Sequence, residues 1–323
     1  MTESTFRTRQ APSPTGYLHL GTARTVLFTK LMTIVNKGKW YIRLDDTDQN
    51  RLNLEAVTPL LGALETLGLG ADEGITLDLT DNYSQEYNIY QQGQYVPYIQ
   101  SERLSIYHAH AQKMLDKKLC YWSYLTPEDR QIIQVNKQTT KQPINWYQES
   151  LSKNTNEEIY SDVVTALQDP RKPVLRYKLQ RNSTLKCHDE LLGETEFDLN
   201  LLEDPTFLKS DGFPSYHLAH LIDDHLTRVS MIIRSQEWYP SFPLHTQAFV
   251  DYWGVDNLPK FLHLPFILGA TGNKKMSKRD GNVNMQDYLD KGFLPEAMIN
   301  YLAFLGWNPG GEKELFLEKE DFN

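Results

Sequence analysis

The first 45 residues alternate between strand-like and helix-like segments, and this order constrains the fold more than any other feature. Residues 5–10 have strand character, and residues 11–16 carry two prolines and a glycine that require a loop. Apolar side chains recur at helical spacing over residues 20–35, and residues 39–44 again favour a strand. Strand, loop, helix and strand in this order form a βαβ unit. The sequence therefore predicts an α/β fold built on a doubly wound parallel sheet.

Turn residues and apolar spacing predict further elements after this unit. Gly38 is placed to end the first helix, because glycine commonly follows a last helical turn. Helices are also expected at residues 54–67, 102–117 and 215–226 and from Thr126 onwards, and strands at residues 173–180, 206–210 and 229–233. Residues 131–172 are rich in Gln, Asn, Lys and Thr and show weak apolar periodicity. We interpret them as part of an inserted, surface-exposed domain.

The composition bounds the class of protein. The chain has 323 residues, enough for two or three packed units. Its 33 Lys and Arg against 42 Asp and Glu give a net charge of −9, which argues against binding nucleic acid over the whole surface but allows a local basic face. Cys120 and Cys187 form no Cys-x-x-Cys pair, so we expect reduced thiols and no cysteine zinc site. Without a signal peptide or a membrane-length apolar run, a cytoplasmic location without membrane contact is expected.

A histidine and two glycines mark the junction between the first strand and the first helix. The segment is Thr15-Gly16-Tyr17-Leu18-His19-Leu20-Gly21-Thr22. A helix N-terminus offers free backbone N–H groups to a phosphate, and glycine allows a nucleotide to approach the backbone closely. His19 can donate a hydrogen bond to a triphosphate as negative charge develops. By itself the pattern is weak, because such a histidine is more often a helix cap or a packed residue.

A second constellation concentrates cations between two glycines. The run Lys274-Lys275-Met276-Ser277-Lys278-Arg279 places four cations and a hydroxyl in six positions. It could be a solvated basic turn, but it could also form a mobile loop that clamps a polyphosphate. Five specified residues recur by chance on the order of once in a million starts, since each position matches about one time in twenty. A chance occurrence of both motifs in this order, with the first in a βαβ unit, is therefore not expected.

Together these motifs resemble those of a known enzyme family. His19 to Thr22 resembles the "HIGH" element, and Lys275 to Arg279 the "KMSKS" element, of class I aminoacyl-tRNA synthetases. Bacterial glutamyl-tRNA synthetases have blocks similar to residues 9–19, 43–48, 211–217, 223–226, 233–238 and 300–307. The resemblance implies a Rossmann-like catalytic domain that activates glutamate with ATP and transfers it to tRNA.

The resemblance also implies a pocket for glutamate. It would comprise Arg9, Ala11, Ser13, Asp45, Tyr216, His220 and Arg234. Arg9 would bind the side-chain carboxylate with Tyr216 as a hydroxyl partner, and Arg234 would hold a substrate carboxylate too; a guanidinium fork suits that group. Asp45 would bind the substrate ammonium. Two positions differ from the family pattern, Asp45 for the usual Glu and His220 for the usual Asn. As isolated residues, these could instead be surface cations, packed aromatics or turn residues.

ATP and tRNA contacts follow from the same resemblance. ATP would contact Ser13, His19, Gly21, Glu237, Lys275, Met276, Ser277, Lys278 and Arg279, with His19, Lys275 and Lys278 as catalytic residues. Mg²⁺ would accompany the ATP phosphates, and no metal site or structural zinc is expected in the protein. Asp48 and Arg51 would contact the acceptor end of tRNA. Tyr177, Lys178 and Arg181 could stack on or pair with RNA, or equally belong to a packed β-ribbon.

The implied domain organisation has four segments. Residues 1–103 and 206–265 would form the two halves of the catalytic domain, separated by an inserted acceptor-stem-binding domain at residues 104–205. Residues 266–323 would carry the KMSKS loop and the start of a helical stem-contact region. We expect no anticodon-binding domain in this chain, and therefore either a catalytic fragment or a natural short form, acting as a monomer.

Four other functions make different demands on the sequence. A short glutamyl-queuosine tRNA synthetase would usually carry zinc-binding cysteines, and a glutaminyl enzyme would differ in the Ala-Pro-Ser-Pro and Lys-Met-Ser-Lys-Arg runs. A small nucleotidyltransferase would not be expected to carry the insert. A non-catalytic tRNA-binding paralogue should have lost cations from the Lys-Met-Ser-Lys-Arg run, and this chain has not.

Overall fold

The structure, a computed structural model, confirms the α/β fold. It describes residues 5–14, 17–49, 53–77, 89–140, 144–151, 162–181, 183–269, 276, 284–308 and 310–312. The strands are β1 (Arg7–Gln10), β2 (Lys39–Ile42), β3 (Glu73–Leu77), β4 (Ile89–Gln92), β5 (Cys120–Ser123), β6 (Val174–Tyr177), β7 (Thr184–Asp189), β8 (Gly193–Asp198), β9 (Thr206–Leu208), β10 (Met231–Ser235) and β11 (Lys260–Leu264). The helices are α1 (Leu20–Val35), α2 (Val57–Thr66), α3 (Leu104–Asp116), α4 (Pro127–Thr140), α5 (Trp146–Leu151), α6 (Val163–Gln168), α7 (Tyr216–Leu226), α8 (Phe242–Trp253), α9 (Met285–Asp290) and α10 (Pro295–Phe304).

The predicted βαβ unit is present, with β1 parallel to β2 and α1 between them in the chain. Strand β3 is parallel to β2, and β4 closes that edge in the antiparallel direction. On the other side of β1, the Ser230 N–H donates to the Arg7 carbonyl at 2.8 Å, which brings β10 next to β1. Strand β11 is parallel to β10. The chain thus moves outward from β1 in both directions, so the strand order reverses between β1 and β10.

Alternation along β1 separates two faces of this sheet. Thr8 meets Thr33 of α1, with their hydroxyl oxygens 2.5 Å apart. Its neighbours Arg7 and Arg9 therefore point to the opposite face, because successive strand residues alternate. On the α1 side, a small apolar cluster joins β10 and β11 to the helix; it consists of buried Met231, Ile233 and Leu264 with Phe28 and Met32 packed against them. The second face receives α7, which brings the carboxylate of Asp224 to Arg9, whereas Arg7 pairs with Glu73 of β3.

Residues between α3 and β9 form a further sheet and a hairpin. Strands β5, β6 and β9 make an antiparallel sheet. The hairpin of β7 and β8 pairs instead with β11, where Phe261 lies opposite Asp189. The polar segment 131–172 contains most of α4 and all of α5 and α6. The predicted domain boundaries stay a prediction.

Gly38 has a different role from the one predicted. Helix α1 ends at Val35, and the residue with positive φ after it is Lys37, at 50°. A Cβ at Gly38 would lie 2.3 Å from the Phe6 carbonyl oxygen. Gly38 is therefore required because the backbone before β1 passes too close for any side chain.

Thr126 begins a helix as predicted. Its hydroxyl accepts from the Asp129 N–H, and the Asp129 carboxylate accepts from the Thr126 N–H, both at 3.1 Å. This reciprocal pair satisfies donors at the start of α4 that have no partner within the helix. The other predicted helices and strands are present with ends displaced by at most three residues. The helices predicted from residues 54 and 102 begin as 3₁₀ turns before α2 and α3.

Candidate active site

A cavity of about 1300 Å³ lies where β1 and β10 end. Doubly wound sheets bind ligands at this point, because the chain leaves neighbouring strands in opposite directions and opens a crevice. The cavity lining brings together many of the predicted site residues, namely Arg9, Ala11, Ser13, His19, Gly21, Asp45, Asp48, Tyr216, Arg234, Glu237 and Met276. They come from chain segments that are far apart in the sequence.

Arg9, at the end of β1, is buried against α7. Its Nε and Nη2 donate to the carboxylate of Asp224, with Nη2 2.9 Å from Oδ2. The two side chains are 4% and 0% exposed, so the pair is removed from water. Burial opposes the charged form of Asp224, but Arg9 and then His220 and Arg43 hold its pKa well below the usual range. Arg9 therefore lies at the cavity with its charge already balanced by a carboxylate.

Asp45 is fixed by an arginine two residues before it. Arg43 donates through Nε to Asp45 Oδ1 at 2.6 Å and through Nη2 to Oδ2 at 3.1 Å. Burial raises the pKa of Asp45 to about 6, although Arg43 opposes this shift. The carboxylate is thus held at the cavity wall with a defined orientation, and its ionisation is sensitive to pH near neutrality.

A second carboxylate on α7 completes this buried network. Asp223 accepts from Gln100 at 2.9 Å, from Arg103 at 2.8 Å and from the Tyr107 hydroxyl at 2.8 Å. Arg43 Nε lies 3.5 Å away, and Arg43 Nη1 donates to Asp224 at 2.8 Å. Arg43, Asp223 and Asp224 fall in the blocks 43–48 and 223–226 that resemble the family, but no role was predicted for them. The arginine partners of Asp223 and Asp224 lie more than 100 positions away in the sequence, so only the apolar spacing of α7 could have indicated that the two carboxylates are buried.

His220 lies behind the cavity wall, outside the lining residues. Its Nδ1 is 2.6 Å from Asp224 Oδ2 and 3.3 Å from Arg9 Nη2, and its ring stacks under Tyr216 at 5.4 Å. Burial lowers the pKa of His220 to about 3, so the ring is neutral. Because a carboxylate can only accept, Nδ1 carries the proton, and buried Nε2 has no partner in the described structure. A direct contact with substrate stays a prediction for this residue.

Arg234, at the end of β10, differs from Arg9 in the partners it has. It donates through Nε to His263 at 2.9 Å and through Nη1 to His245 at 2.9 Å and to the Tyr216 hydroxyl at 3.3 Å. Its Nη2 is buried without a hydrogen-bond partner among the described residues. Burial lowers the pKa of Arg234, yet an arginine remains charged. Within the described chain no carboxylate lies within ion-pair distance of this guanidinium, so its charge is available to a ligand.

His19 caps the helix that begins at the cavity. Its Nδ1 accepts from the Gly21 N–H at 3.0 Å, which is the capping role that sequence alone left open. A backbone N–H can only donate, so a neutral His19 carries its proton on Nε2. The His19 ring thus caps α1 through Nδ1 and carries a hydrogen-bond donor at Nε2. The sequence expectation of a phosphate contact is compatible with this cap.

The lysine-rich loop lies mostly outside the described residues, including the predicted site residues Lys275, Ser277, Lys278 and Arg279. Arg51, in another part of the chain, also lies outside them. Met276 is described; it lines the cavity, and its N–H donates to the Ile267 carbonyl at 2.8 Å. On the other side of the loop, Asn284 pairs with His19, and the Met285 N–H donates to the Leu18 carbonyl at 2.9 Å. The segment that follows the loop is thereby attached at the start of α1.

The candidate RNA-contacting residues of the insert differ in exposure. Tyr177 is fully buried, stacks on Phe207 and donates to Asp251 at 2.5 Å, which fits the packed alternative. Lys178 lies over the ring of Tyr147 at 3.8 Å and lines, with Arg181, a second cavity of about 630 Å³. Lys178 is placed where a ligand could reach it, whereas Arg181 is mostly buried and donates to Asp204 at 3.0 Å.

Among the residues that the structure describes, no group of three or more His, Cys, Asp or Glu side chains is arranged to hold a metal ion. The described helices include none that is long and apolar enough to span a bilayer. The start of α1 and the adjoining cavity fit a nucleotide, because the helix end favours phosphate and the volume is ample.

Comparison with known proteins agrees with this geometry. The family model described as "tRNA synthetases class I (E and Q), catalytic domain" matches residues 5–323. The chain is 37% identical over 311 residues to a glutamate--tRNA ligase of Alkaliphilus metalliredigens, covering 96% of this chain and 60% of that protein. It is 38% identical over 327 residues to the ligase of Chloroherpeton thalassium, covering 99% and 61%.

Solved structures show the same fold. A glutamate tRNA ligase from Elizabethkingia meningosepticum, determined in complex with its amino acid, superimposes with a TM-score of 0.83 at 31% identity, covering 99% of this chain and 64% of that one. The glutamate-tRNA synthetase of Elizabethkingia anophelis has the same TM-score and identity and is covered to 65%. The chain spans about three fifths of the length of the curated relatives it matches. It therefore belongs to the class I tRNA synthetases (E and Q) and matches their catalytic domain.

Proposed function

We propose that this chain activates glutamate with ATP and transfers it to the 3′ end of tRNA, the reaction of a glutamate--tRNA ligase. The observation that carries this proposal is the cavity at the strand reversal, lined by a buried arginine, Arg234, without a carboxylate partner in the described structure. A buried guanidinium favours an anionic ligand, and its fork matches a carboxylate. Relatives named glutamate--tRNA ligase support glutamate as that ligand.

Different pocket residues would bind the two carboxylates and the ammonium group of glutamate. Arg234 and Arg9 would bind its two carboxylates, with Tyr216 adding a hydroxyl beside Arg234. Asp45, oriented by Arg43, would bind the ammonium group. Ala11 and Ser13 line the same cavity after β1, where backbone groups could fix the substrate. Glutamine, which lacks a negative side chain, would leave one cation without its partner.

ATP would lie between the start of α1 and the lysine-rich loop. His19 would donate from Nε2 to the triphosphate, while Gly21, Glu237 and Met276 line the space available to the nucleotide. Lys275, Ser277, Lys278 and Arg279 are proposed to contact the phosphates, since Asn284, which follows them in the chain, pairs with His19 and Met276 lines the same cavity. Mg²⁺ bound to ATP would neutralise part of the phosphate charge.

The chemistry requires positioning more than a protein nucleophile. A carboxylate oxygen of glutamate attacks the α-phosphorus of ATP in line, and pyrophosphate leaves. The 3′-terminal ribose hydroxyl of tRNA then attacks the carbonyl carbon of the mixed anhydride, and AMP leaves. His19, Lys275 and Lys278 would stabilise the negative charge that develops on the phosphate oxygens in the first step.

Residues 104–205 are proposed to bind the acceptor stem, between the two halves of the catalytic domain at 1–103 and 206–265, with residues 266–323 beginning the stem contact. Asp48 lines the cavity where the tRNA end must enter, and Arg51 follows it in the chain. Lys178 and Arg181, which line the second cavity, would meet the RNA backbone. We propose that the protein acts as a monomer in the cytoplasm, which sedimentation and cell fractionation would test.

Pyrophosphate exchange with glutamate, glutamine and aspartate, each with and without tRNA, tests the proposal. We expect exchange with glutamate that depends on tRNA, because this requirement is general in the family that the motifs resemble. Exchange with glutamine or aspartate but not with glutamate would contradict glutamate as the substrate. Absence of exchange with all three amino acids would contradict the proposed activity. Lys278→Ala should lower exchange at least tenfold, about 1.4 kcal/mol. The exposed Lys260→Ala is the matched control and should leave exchange unchanged.

A further inference from the structure

Arg234 is held by a chain of neutral histidines that crosses the fold. His263 lies opposite Arg234 on β11, and its Nε2 receives the hydrogen bond from Arg234 Nε. His245, on α8, receives the bond from Arg234 Nη1. Behind these two, His263 Nδ1 is 2.7 Å from Asp189 Oδ2, and His245 Nε2 is 3.0 Å from His217 Nδ1. This series of hydrogen bonds therefore runs from Asp189 through His263, Arg234 and His245 to His217.

The direction of every bond in this chain follows from arginine being a donor only. His263 must accept at Nε2, so its Nδ1–H donates to Asp189, which also accepts from the Leu191 and Leu192 N–H groups. His245 must accept at Nδ1, so its Nε2–H donates to His217. Burial lowers the pKa of His263 and that of His217 to about 4, and it lowers that of His245 well below the usual range. Each imidazole is thus a neutral acceptor toward the guanidinium.

Neutral acceptors leave the charge of Arg234 intact, whereas carboxylates would cancel it. Arg9 and Arg103, buried nearby, each bond to a carboxylate of α7. Asp189 is separated from Arg234 by the ring of His263, so it fixes the ring without contacting the guanidinium. The arrangement orients Arg234 and keeps a whole positive charge at the cavity wall. A ligand carboxylate would then supply the missing negative charge.

Arg9 is already balanced by Asp224, so Arg234 and not Arg9 would take the side-chain carboxylate that distinguishes glutamate from glutamine. We infer that His245 and His263 are positioning residues that set the preference for glutamate over glutamine, because they fix Arg234 through neutral acceptors and leave its charge for the substrate. This inference rests on the proposed function, which identifies the ligand as an amino acid with an anionic side chain. A carboxylate in place of either imidazole would compete with the substrate for Arg234. Such a change would weaken glutamate more than ATP and more than glutamine.

The matched pair His245→Asn and His245→Asp tests this inference. The Oδ1 of either side chain takes the place of Nδ1, and the two differ in charge but hardly in shape. Calorimetric binding of glutamate and glutamine to the full chain, and pyrophosphate exchange with tRNA, are measured for both variants. We expect His245→Asp to bind glutamate at least about tenfold more weakly than His245→Asn, with similar KM for ATP and a raised ratio of glutamine to glutamate exchange.

Two outcomes would overturn the inference and leave the proposed function standing. One is an equal loss of glutamate binding in both variants with an unchanged amino-acid ratio. The other is an equal KM for glutamate in two variants of His263, and this test still decides the matter if His245→Asp does not fold. His263→Gln keeps an acceptor near Nε2, while His263→Leu removes it. We expect the KM for glutamate to be at least about tenfold higher for His263→Leu than for His263→Gln, at similar KM for ATP. Equal values would exclude positioning by His263. Absence of glutamate exchange in the unaltered chain would instead contradict the proposed function.

Discussion

Arg9 and Asp224 form a buried bidentate ion pair that joins the end of β1 to α7 across 215 positions of sequence. Asp224 is shared, because Arg43 and His220 also contact it. Asp224→Ala would leave two buried guanidinium groups short of a negative charge. We expect this variant to lose about 3–5 kcal/mol of unfolding free energy, measured by urea denaturation. Glu194→Ala, which breaks the exposed pair with Lys186, is the control and should change little. Equal effects for both would refute the importance of burial.

Asp45 should make glutamate binding depend on pH. Its pKa is raised to about 6 by burial, so the carboxylate gains a proton as the pH falls through that value. The substrate ammonium then loses its partner, and the KM for glutamate should rise between about pH 8 and about pH 5. The KM for ATP, followed over the same range, should remain flat.

Asp45→Asn provides the control for that titration. It should raise the KM for glutamate at neutral pH and abolish its dependence on pH, since no carboxyl group remains to gain a proton. A dependence that survives in Asp45→Asn would assign the titration to another group.

Local patterns were sufficient to predict most of the elements that build the cavity. The helical spacing over residues 20–35 and the strand character on either side depend on neighbours only, and α1, β1 and β2 formed accordingly. Because parallel strands present their carboxyl ends together, Arg9 and Arg234 could be expected near one ligand. The structure places both in the lining of one cavity.

The partners that orient these arginines could not be predicted in the same way. His263 belongs to β11 and His245 to α8, and neither element was predicted from the sequence. Their role depends on which strands become neighbours, and β7, β10 and β11 come together only in the tertiary fold. Gly38 shows the same limit, because its requirement comes from the passing backbone of Phe6 and not from the helix that it follows.

Glu73 should support the fold down to low pH. Hydrogen bonds from Arg7 and the Tyr98 hydroxyl lower the pKa of Glu73 to about 2 against the opposing effect of burial. A carboxyl group whose pKa is depressed by folding contributes stability above its unfolded value of 4.5 and loses it as the pH falls toward about 2. We therefore expect wild type to exceed Glu73→Gln in unfolding free energy at neutral pH, and the difference to shrink between those two values. A constant difference in acid titrations would contradict this assignment.

Two glycines should respond to alanine in opposite directions. A Cβ at Gly38 would lie 2.3 Å from the Phe6 carbonyl oxygen, so the backbone before β1 must move, and we expect Gly38→Ala to cost about 1–3 kcal/mol. Gly62 lies inside α2, where the nearest atom to an added Cβ is Leu77 Cδ1 at 3.9 Å. Gly62→Ala should stabilise the fold by about 0.5–1 kcal/mol, because alanine loses less backbone freedom in a helix. Thermal and urea unfolding of the two variants measure both effects. The same sign for the two substitutions would show that contact distance does not govern these positions.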